Sequence, residues 1–269
     1  MPLTFAHPAA VLPFVRNKTY LHFPALVLGS MAPDFEYFLR GRPSGEIGHT
    51  IIGFITLNLF LVVLTYLAYR YIVYPPIFNN LPTYVQVILT SSSSSSCSPS
   101  PPKSEHPRNP RVIRVLVFIY SAWLGMATHV IWDSFTHQGG FMVLRWSLLQ
   151  ETLSISTYDL PVYKILQHGS TLFGLTIIFL VSLSRLGKHP SEVRISANSL
   201  HFNSKKWRYW LSLGVLMIVI FVLWILMDPI SLSDYGILVV RMIDSVILGF
   251  LLLSLVYLFW GPSPFQKRQ

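Results

Sequence analysis

The sequence predicts an all-α fold: a polytopic membrane helical bundle of about five transmembrane helices, preceded by short N-terminal interfacial or re-entrant helices. Two observations carry that prediction. Of the 269 residues, 52% are apolar and only 12% charged, about half the charged share of an ordinary soluble domain and too little to cover a water-facing surface. Five stretches are also long and apolar enough to cross a hydrocarbon core about 30 Å thick at about 1.5 Å per residue. The same figures exclude other classes. A mean hydropathy of +0.52 is not that of a disordered chain, and the single Cys97 cannot staple a secreted scaffold.

Taken in order, the first two apolar stretches, Ala9 to Val15 and Thr19 to Pro33, are too short to span, and Pro24 interrupts the second. They read as interfacial or re-entrant helices. No Lys or Arg precedes Phe5, and Pro8 and Pro13 break the first apolar run, so a secretory signal is not expected. The spans are expected near residues 51–69, 115–132, 166–184, 209–227 and 242–260, within one integral membrane domain covering residues 1–269. The first, second and fourth carry no charge over Ile51 to Tyr69, Val115 to Trp132 and Tyr209 to Met227; the fifth carries Asp244 near its start. Between the first two, residues 86–110 include Ser91 to Ser96 and a Ser/Pro tract and are expected to form a flexible loop.

Orientation follows from the basic residues, which are retained on the cytoplasmic side of short loops. Thirteen Lys and Arg fall in the loops after spans one and three and in the C-terminal tail, and seven fall on the other side. That asymmetry places the N-terminus outside and the C-terminus in the cytoplasm, and it accounts for the net charge of +9. The basic residues form no single patch and no nucleic-acid-binding motif accompanies them, so nucleic acid is not expected as a partner.

Ionisable groups at membrane depth are costly and call for a partner or a purpose. The densest set is His129-Val-Ile-Trp-Asp133-Ser-Phe-Thr-His137 at the outer end of span two, where a spacing of four puts the three polar side chains on one helical face. Imidazole nitrogen and carboxylate oxygen are the ligands that zinc and related ions take in hydrolytic sites. The spacing alone equally describes a His–Asp hydrogen-bonded pair at a helix end. His7, Asp34, His49 and His168 fall on the same outer face once the basic residues have set the topology, and His7, which precedes Pro8, suits the mouth of a helix. Glu36 and Glu46 are candidates for a catalytic base or for orienting a ligand, or are ordinary surface glutamates. His106, His189 and His201 lie in the basic loops and read as solvated, His22 as packed or interfacial, and Arg241 with Asp244 as an intrahelical ion pair.

Met1-Pro-Leu-Thr-Phe-Ala-His7-Pro-Ala-Ala, Gly29-Ser-Met-Ala-Pro-Asp34-Phe-Glu-Tyr, Gly48-His49-Thr, the His129 to His137 stretch and Leu166-Gln-His168-Gly-Ser together resemble the DUF4184 family of bacterial integral membrane proteins. The order His, Pro-Asp, His, HxxxD, His is similar, more distantly, to inner-membrane metal-dependent hydrolases and to zinc-dependent phospholipase C and the S1/P1 nucleases. That resemblance implies a multi-pass protein of the bacterial cytoplasmic membrane. It also implies that His7, Asp34, His49, His129, Asp133 and His137 ligate a divalent metal, zinc first, with His168, Glu36 and Glu46 behind them.

Two functions are therefore expected from different classes. One is a metal-dependent, phosphoesterase-like hydrolase at the outer membrane face, acting on a lipid or lipid-linked phosphate. The other is a non-enzymatic membrane protein whose His/Asp cluster is structural. A transporter is disfavoured, because the charges gather at span ends and the chain shows no internal repeat.

Overall fold

The computed structural model describes residues 3–16, 20–94, 110–155, 158–186, 204–231 and 233–260. The fold is all-α, with one short hairpin. Five helices are long and apolar enough to cross a membrane: Ile51–Asn80, Arg111–Arg145, Val162–Ser184, Lys206–Met227 and Tyr235–Trp260. Each contains the stretch expected from the sequence and extends beyond it. The first continues from Tyr69 to Asn80 because π-helical turns over Tyr69–Val73 carry it past Arg70, while Pro75 and Pro76 fall in the first turn of the next segment, where the missing N–H is tolerated. Large side chains such as Leu172, Phe173, Phe179 and Leu180 stand exposed on the third span, an arrangement suited to lipid rather than water.

The described residues cluster into two compact units. The first contains Met1–Tyr66 and His106–Arg185. Its N-terminal run, Thr4–Arg16, winds as 3-10 turns around Pro8 and Pro13. Helix α1 (Phe23–Gly29) is capped by His22, whose Nδ1 accepts the Ala25 N–H at 3.2 Å. Its ring packs against Tyr66 and Phe118, the packed role expected of it. A 3-10 turn (Ala32–Asp34) leads into α2 (Phe35–Arg40), which stops at Gly41 in the left-handed region, φ 60°. The first span comprises α3 (Ile51–Gly53), a π-turn (Phe54–Asn58) and α4 (Leu59–Ala68), the last of which reaches into the second unit, where α5 (Tyr74–Asn80) completes it.

Helix α6 (Thr83–Ser94) belongs to the second unit and α7 (Pro110–Thr136) to the first. Helices α8 (Phe141–Arg145) and α9 (Ser147–Gln150), strands β1 (Thr152–Ile155) and β2 (Tyr158–Pro161), and α10 (Val162–Leu186) follow α7. The strands pair antiparallel with Leu153 opposite Leu160, a hairpin too short for the sequence pattern to announce.

The first unit is built on the contact of α1 with α7. Ala25, Ala32, Val62, Ala122 and Met126 form one buried cluster, and Val11, Leu21 and Leu26 form a second. The helices meet backbone to backbone: a Cβ on Gly29 would lie 2.2 Å from the Ala122 carbonyl oxygen, and one on Gly125 would lie 2.3 Å from that of Leu26. Small residues permit this approach where lipid supplies no hydrophobic force between helices.

The second unit contains Leu67–Glu105 and Leu186–Gln269. Helices α11 (Ser204–Met227) and α12 (Tyr235–Trp260) pack through Tyr209, Leu213 and Leu253. Helix α6 occupies part of the expected 86–110 loop, with Gln86 donating to the carbonyls of Phe78, Asn79 and Leu81; residues 95–109, like His106, His189 and His201, lie outside the described residues. The expected Arg241–Asp244 pair is corrected: Arg241 pairs with Asp228 and also donates to its main-chain oxygen at 2.6 Å. Asp228 follows the end of α11 and offers a carboxylate together with a carbonyl, two acceptors for one planar fork.

Candidate metal centre

In the first unit, three backbone arrangements bring side chains together from α7, the 3-10 turn before α2, the turn before α3 and the N-terminal 3-10 run. On α7, His129 and Asp133 are one turn apart, with Nε2 to Oδ2 at 3.2 Å. Because Gly125 lets α1 come close one turn earlier, the Ser30 carbonyl reaches His129 Nδ1 at 2.7 Å. A carbonyl only accepts, so Nδ1 carries a proton, and Nε2, on a fully buried side chain, is the nitrogen left for a ligand. That nitrogen faces two carboxylates and has no hydrogen-bond partner.

Asp34 is fixed by Thr4, whose hydroxyl donates to Oδ2 at 2.7 Å. Its Oδ1 is left 3.5 Å from His129 Nε2 and 3.6 Å from His49 Nε2. Burial opposes ionisation of Asp34, but the neighbouring His129 ring and the Thr4 hydroxyl outweigh it and hold the carboxyl below its ordinary range.

His49 is delivered by a cradle. The Glu36 carboxylate accepts the N–H groups of Glu46, Ile47 and Gly48, the last at 2.8 Å, and pairs with Arg40 at 2.7 Å. Burial pushes the Glu36 carboxyl up, yet those three donors and Arg40 bring it down to about 2. Asn58 in the π-turn donates to the Gly48 carbonyl at 2.6 Å. Gly48 lies so close to Pro33 that a Cβ would sit 2.2 Å from its carbonyl oxygen, and this contact sets the following residue, His49, beside Asp34.

Asp34, His49, His129 and Asp133 thus present four ligand atoms that all lie within 4.8 Å of one another. The four measured carboxylate-to-imidazole edges span 3.2 to 3.6 Å. A tetrahedral zinc site with bonds of about 2.0–2.1 Å has ligand-to-ligand edges of about 3.3 Å. Two carboxylates are buried here, and among the described residues their ion-pair contacts are to histidines. Charge balance and geometry both fit a divalent cation, with the Ser30 carbonyl and the Thr4 hydroxyl orienting its ligands.

The description "Domain of unknown function (DUF4184)" matches residues 1–258. The chain belongs to the DUF4184 family. No curated protein and no solved structure matches it. All of the cluster and the first four spans fall inside the matched range of this DUF4184 chain, which ends two residues before the fifth span does.

His7 and His137, also expected from the sequence, flank the four. His7 Nε2 and His137 Nδ1 each lie 3.6 Å from Asp133 Oδ1. His7 sits within the 3-10 run rather than at the mouth of an α-helix, with its ring stacked on that of His129. Burial first, and the adjacent His129 second, hold His7 down to about 4, so it is neutral at pH 7 and can act as a ligand. Glu36 supports His49 through the turn, while Glu46 is exposed and bridges to Arg40 at 3.1 Å. His168 lies on an exposed face of α10, and among the described residues it is not one of the histidines in ion-pair range of Asp34 or Asp133.

Sequence reasoning missed Thr4, Ser30 and Tyr37. Tyr37 is three residues from Asp34, a helical spacing that could have flagged it. With His49, Asp133, His137, Gly140 and Phe141 it lines a cleft of about 350 Å³. Burial, and then the charges of Asp34 and Asp133, push its phenol above the usual range, so at neutral pH it carries a proton to donate.

Proposed function

We propose that this DUF4184 chain is a membrane-embedded, metal-dependent hydrolase of phosphoesterase type, with zinc as the first candidate ion. The observation that carries the reading is one ligand set with two sides: His129 and Asp34 are buried and rigidly held, whereas the His49 and His137 side chains, each about a third exposed, open onto the cleft. Structural zinc sites are closed by four protein ligands and catalytic ones keep a position for water, so on this reading the part-exposed His49 yields its place or the ion takes a fifth ligand from the cleft. A divalent ion held here supplies an acidified water near neutral pH and polarises a phosphoryl or acyl oxygen. The chain's own groups do the rest. Asp34, His49, His129 and Asp133 hold the ion, Asp133 and His137 offer acceptors for a proton at the cleft wall, and the Tyr37 hydroxyl donates to an anionic oxygen or leaving group. The substrate class is a lipid or lipid-linked phosphate, reached from the face opposite the Lys/Arg-rich loops of a bacterial cytoplasmic membrane.

The test pairs metal analysis of detergent-purified protein with hydrolysis of a soluble phosphoester and of a phospholipid. The reading expects stoichiometric zinc or manganese, lost in His129→Ala and Asp133→Ala together with turnover. Protein without stoichiometric metal, or with metal retained in both variants, overturns it. The complete burial of His129 also favours a second reading, a structural metal site, which predicts retained metal and no turnover on any phosphoester.

A further inference from the structure

A second cavity, of about 150 Å³, adjoins the centre. Helix α7 turns about 100° per residue, so Trp132, then His129 and Asp133, then Val130 and Ser134 follow one another around about 200° of its surface. Trp132 lines the second cavity, whereas Val130 and Ser134 line the cleft described above. The His129–Asp133 side of the four-ligand set therefore stands between the two spaces. His7 is a wall that the second cavity shares with the centre, because its ring lines the cavity and also stacks on that of His129.

The rest of the cavity offers hydrocarbon rather than polar contacts. Helix α10 contributes Ser170, Phe173, Gly174 and Ile177, one i, i+3, i+4, i+7 stripe about 10 Å long. The Ser170 hydroxyl is spent on the Gln167 carbonyl at 3.1 Å. The N-terminal run contributes Ala9 and Ala10, too small to fill the space. The walls are held apart by fixed contacts: the Leu3 N–H donates to Thr171 Oγ1 at 3.2 Å, and a Cβ on Gly174 would lie 2.9 Å from the Ala6 carbonyl oxygen. Phe173 lines the cavity and stands 67% exposed on the third span, so the cavity opens on a face suited to lipid. An apolar cavity of this volume stays dry and accepts a molecule the size of benzene, about six carbons.

We infer that this cavity is the subsite for one hydrocarbon chain of the substrate, an amphiphilic phosphate ester. The inference rests on the hydrolase reading above and names the apolar half of its substrate. The chain enters from the bilayer between α10 and the N-terminal run, with about six of its carbons in the cavity. The phosphate lies against the four-ligand set, and the polar remainder lies in the cleft beside Tyr37. A phosphate ester without a chain fills only two of these three places and is the poorer substrate.

The experiment is hydrolysis of p-nitrophenyl alkyl phosphates, methyl to octyl, by zinc-loaded protein in a sterol-glycoside detergent that carries no alkyl chain to compete. Moving a methylene from water to an apolar site is worth about fourfold, so kcat/KM is expected to climb about fourfold per methylene up to about six carbons and then level off. Ala9→Leu, which fills the cavity, is expected to flatten the climb, and Ile177→Ala, which enlarges it, to move the plateau to longer chains. Gly169→Ala, with open space around the new methyl group, should keep the wild-type profile. Partition of longer chains into detergent acts equally on all four proteins, so the differences between profiles carry the result. Rates independent of chain length, or a climb identical in wild type, Ala9→Leu and Ile177→Ala, overturn the chain subsite and leave the hydrolase reading intact. No turnover of any ester by protein with stoichiometric zinc overturns the hydrolase reading, and the subsite with it. Ile177→Ala decides the matter if Ala9→Leu fails to fold.

Discussion

Gly125→Ala perturbs the centre without touching a ligand. The added Cβ would lie 2.3 Å from the Leu26 carbonyl oxygen and 2.6 Å from the Ser30 N–H nitrogen, both main-chain atoms that no rotamer can move aside. Restoring ordinary contact at about 3.4 Å requires α1 to retreat from α7 by about 1.1 Å. The same retreat takes the bond from His129 Nδ1 to the Ser30 carbonyl from 2.7 Å to about 3.8 Å, beyond hydrogen-bonding range. His129 then loses the acceptor that fixes its tautomer and ring orientation, a loss that typically lowers metal affinity about 10- to 100-fold. The assay is a competition titration with a chromogenic zinc chelator on detergent-purified protein, with circular dichroism to verify helical content. Gly169→Ala, on α10 with open space around the new methyl group, is the matched control and should bind as wild type does. A Gly125→Ala protein that folds and binds zinc with unchanged affinity would refute the argument that the α1–α7 approach orients His129.

Other outcomes follow from the same structure. Glu36→Gln removes the charge that accepts three N–H groups and Arg40, and should cost about 2 kcal/mol in thermal melts while weakening metal binding through His49; an unchanged melt contradicts the cradle. Since Glu36 is held down to about 2 against an ordinary 4.5, its contribution is complete above pH 4.5 and drains away as pH falls toward 2, which melting curves across that window check. Asp228→Ala strands the buried Arg241 and should destabilise by about 3 kcal/mol, read from thermal melts; an unchanged melt contradicts the Arg241–Asp228 pairing. Zinc added to stripped protein at about one hundred times its dissociation constant should stabilise the fold by about 2.7 kcal/mol, and a melting temperature indifferent to zinc and chelator argues against a native-state metal.

The parts of this structure legible in the sequence are those that depend on period and length. A spacing of four fixes His129, Asp133 and His137 on one face whatever surrounds them, and uncharged runs announce the spans. The basic loops predict Asp34 and His49 on one face with His129, and Asp34 Oδ1 lies 3.5 Å from His129 Nε2 and 3.6 Å from His49 Nε2. What could not be read depends on contacts between distant backbones. Gly125 does not reveal that Gly29 will meet α7, and the Ser30 carbonyl carries no side-chain signature. His7 reaches the centre through a 3-10 run shaped by Pro8 and Pro13, not through the helix mouth its sequence position implied. The basic loops predict His168 on that face as well, but it stands exposed on α10. Arg241 met the same limit, because Asp244 was the acidic residue nearest along the helix and Asp228 the one that tertiary packing supplied.

Zinc-edge X-ray absorption of the purified protein tests the central claim most directly. A first shell of nitrogen and oxygen at about 2.0–2.1 Å, with the outer-shell scattering of imidazole and no sulfur, is the expected result, and His129→Ala should abolish it. A spectrum with no bound zinc, with sulfur ligands, or with an imidazole shell unchanged in His129→Ala would contradict the assignment of Asp34, His49, His129 and Asp133 as the metal centre.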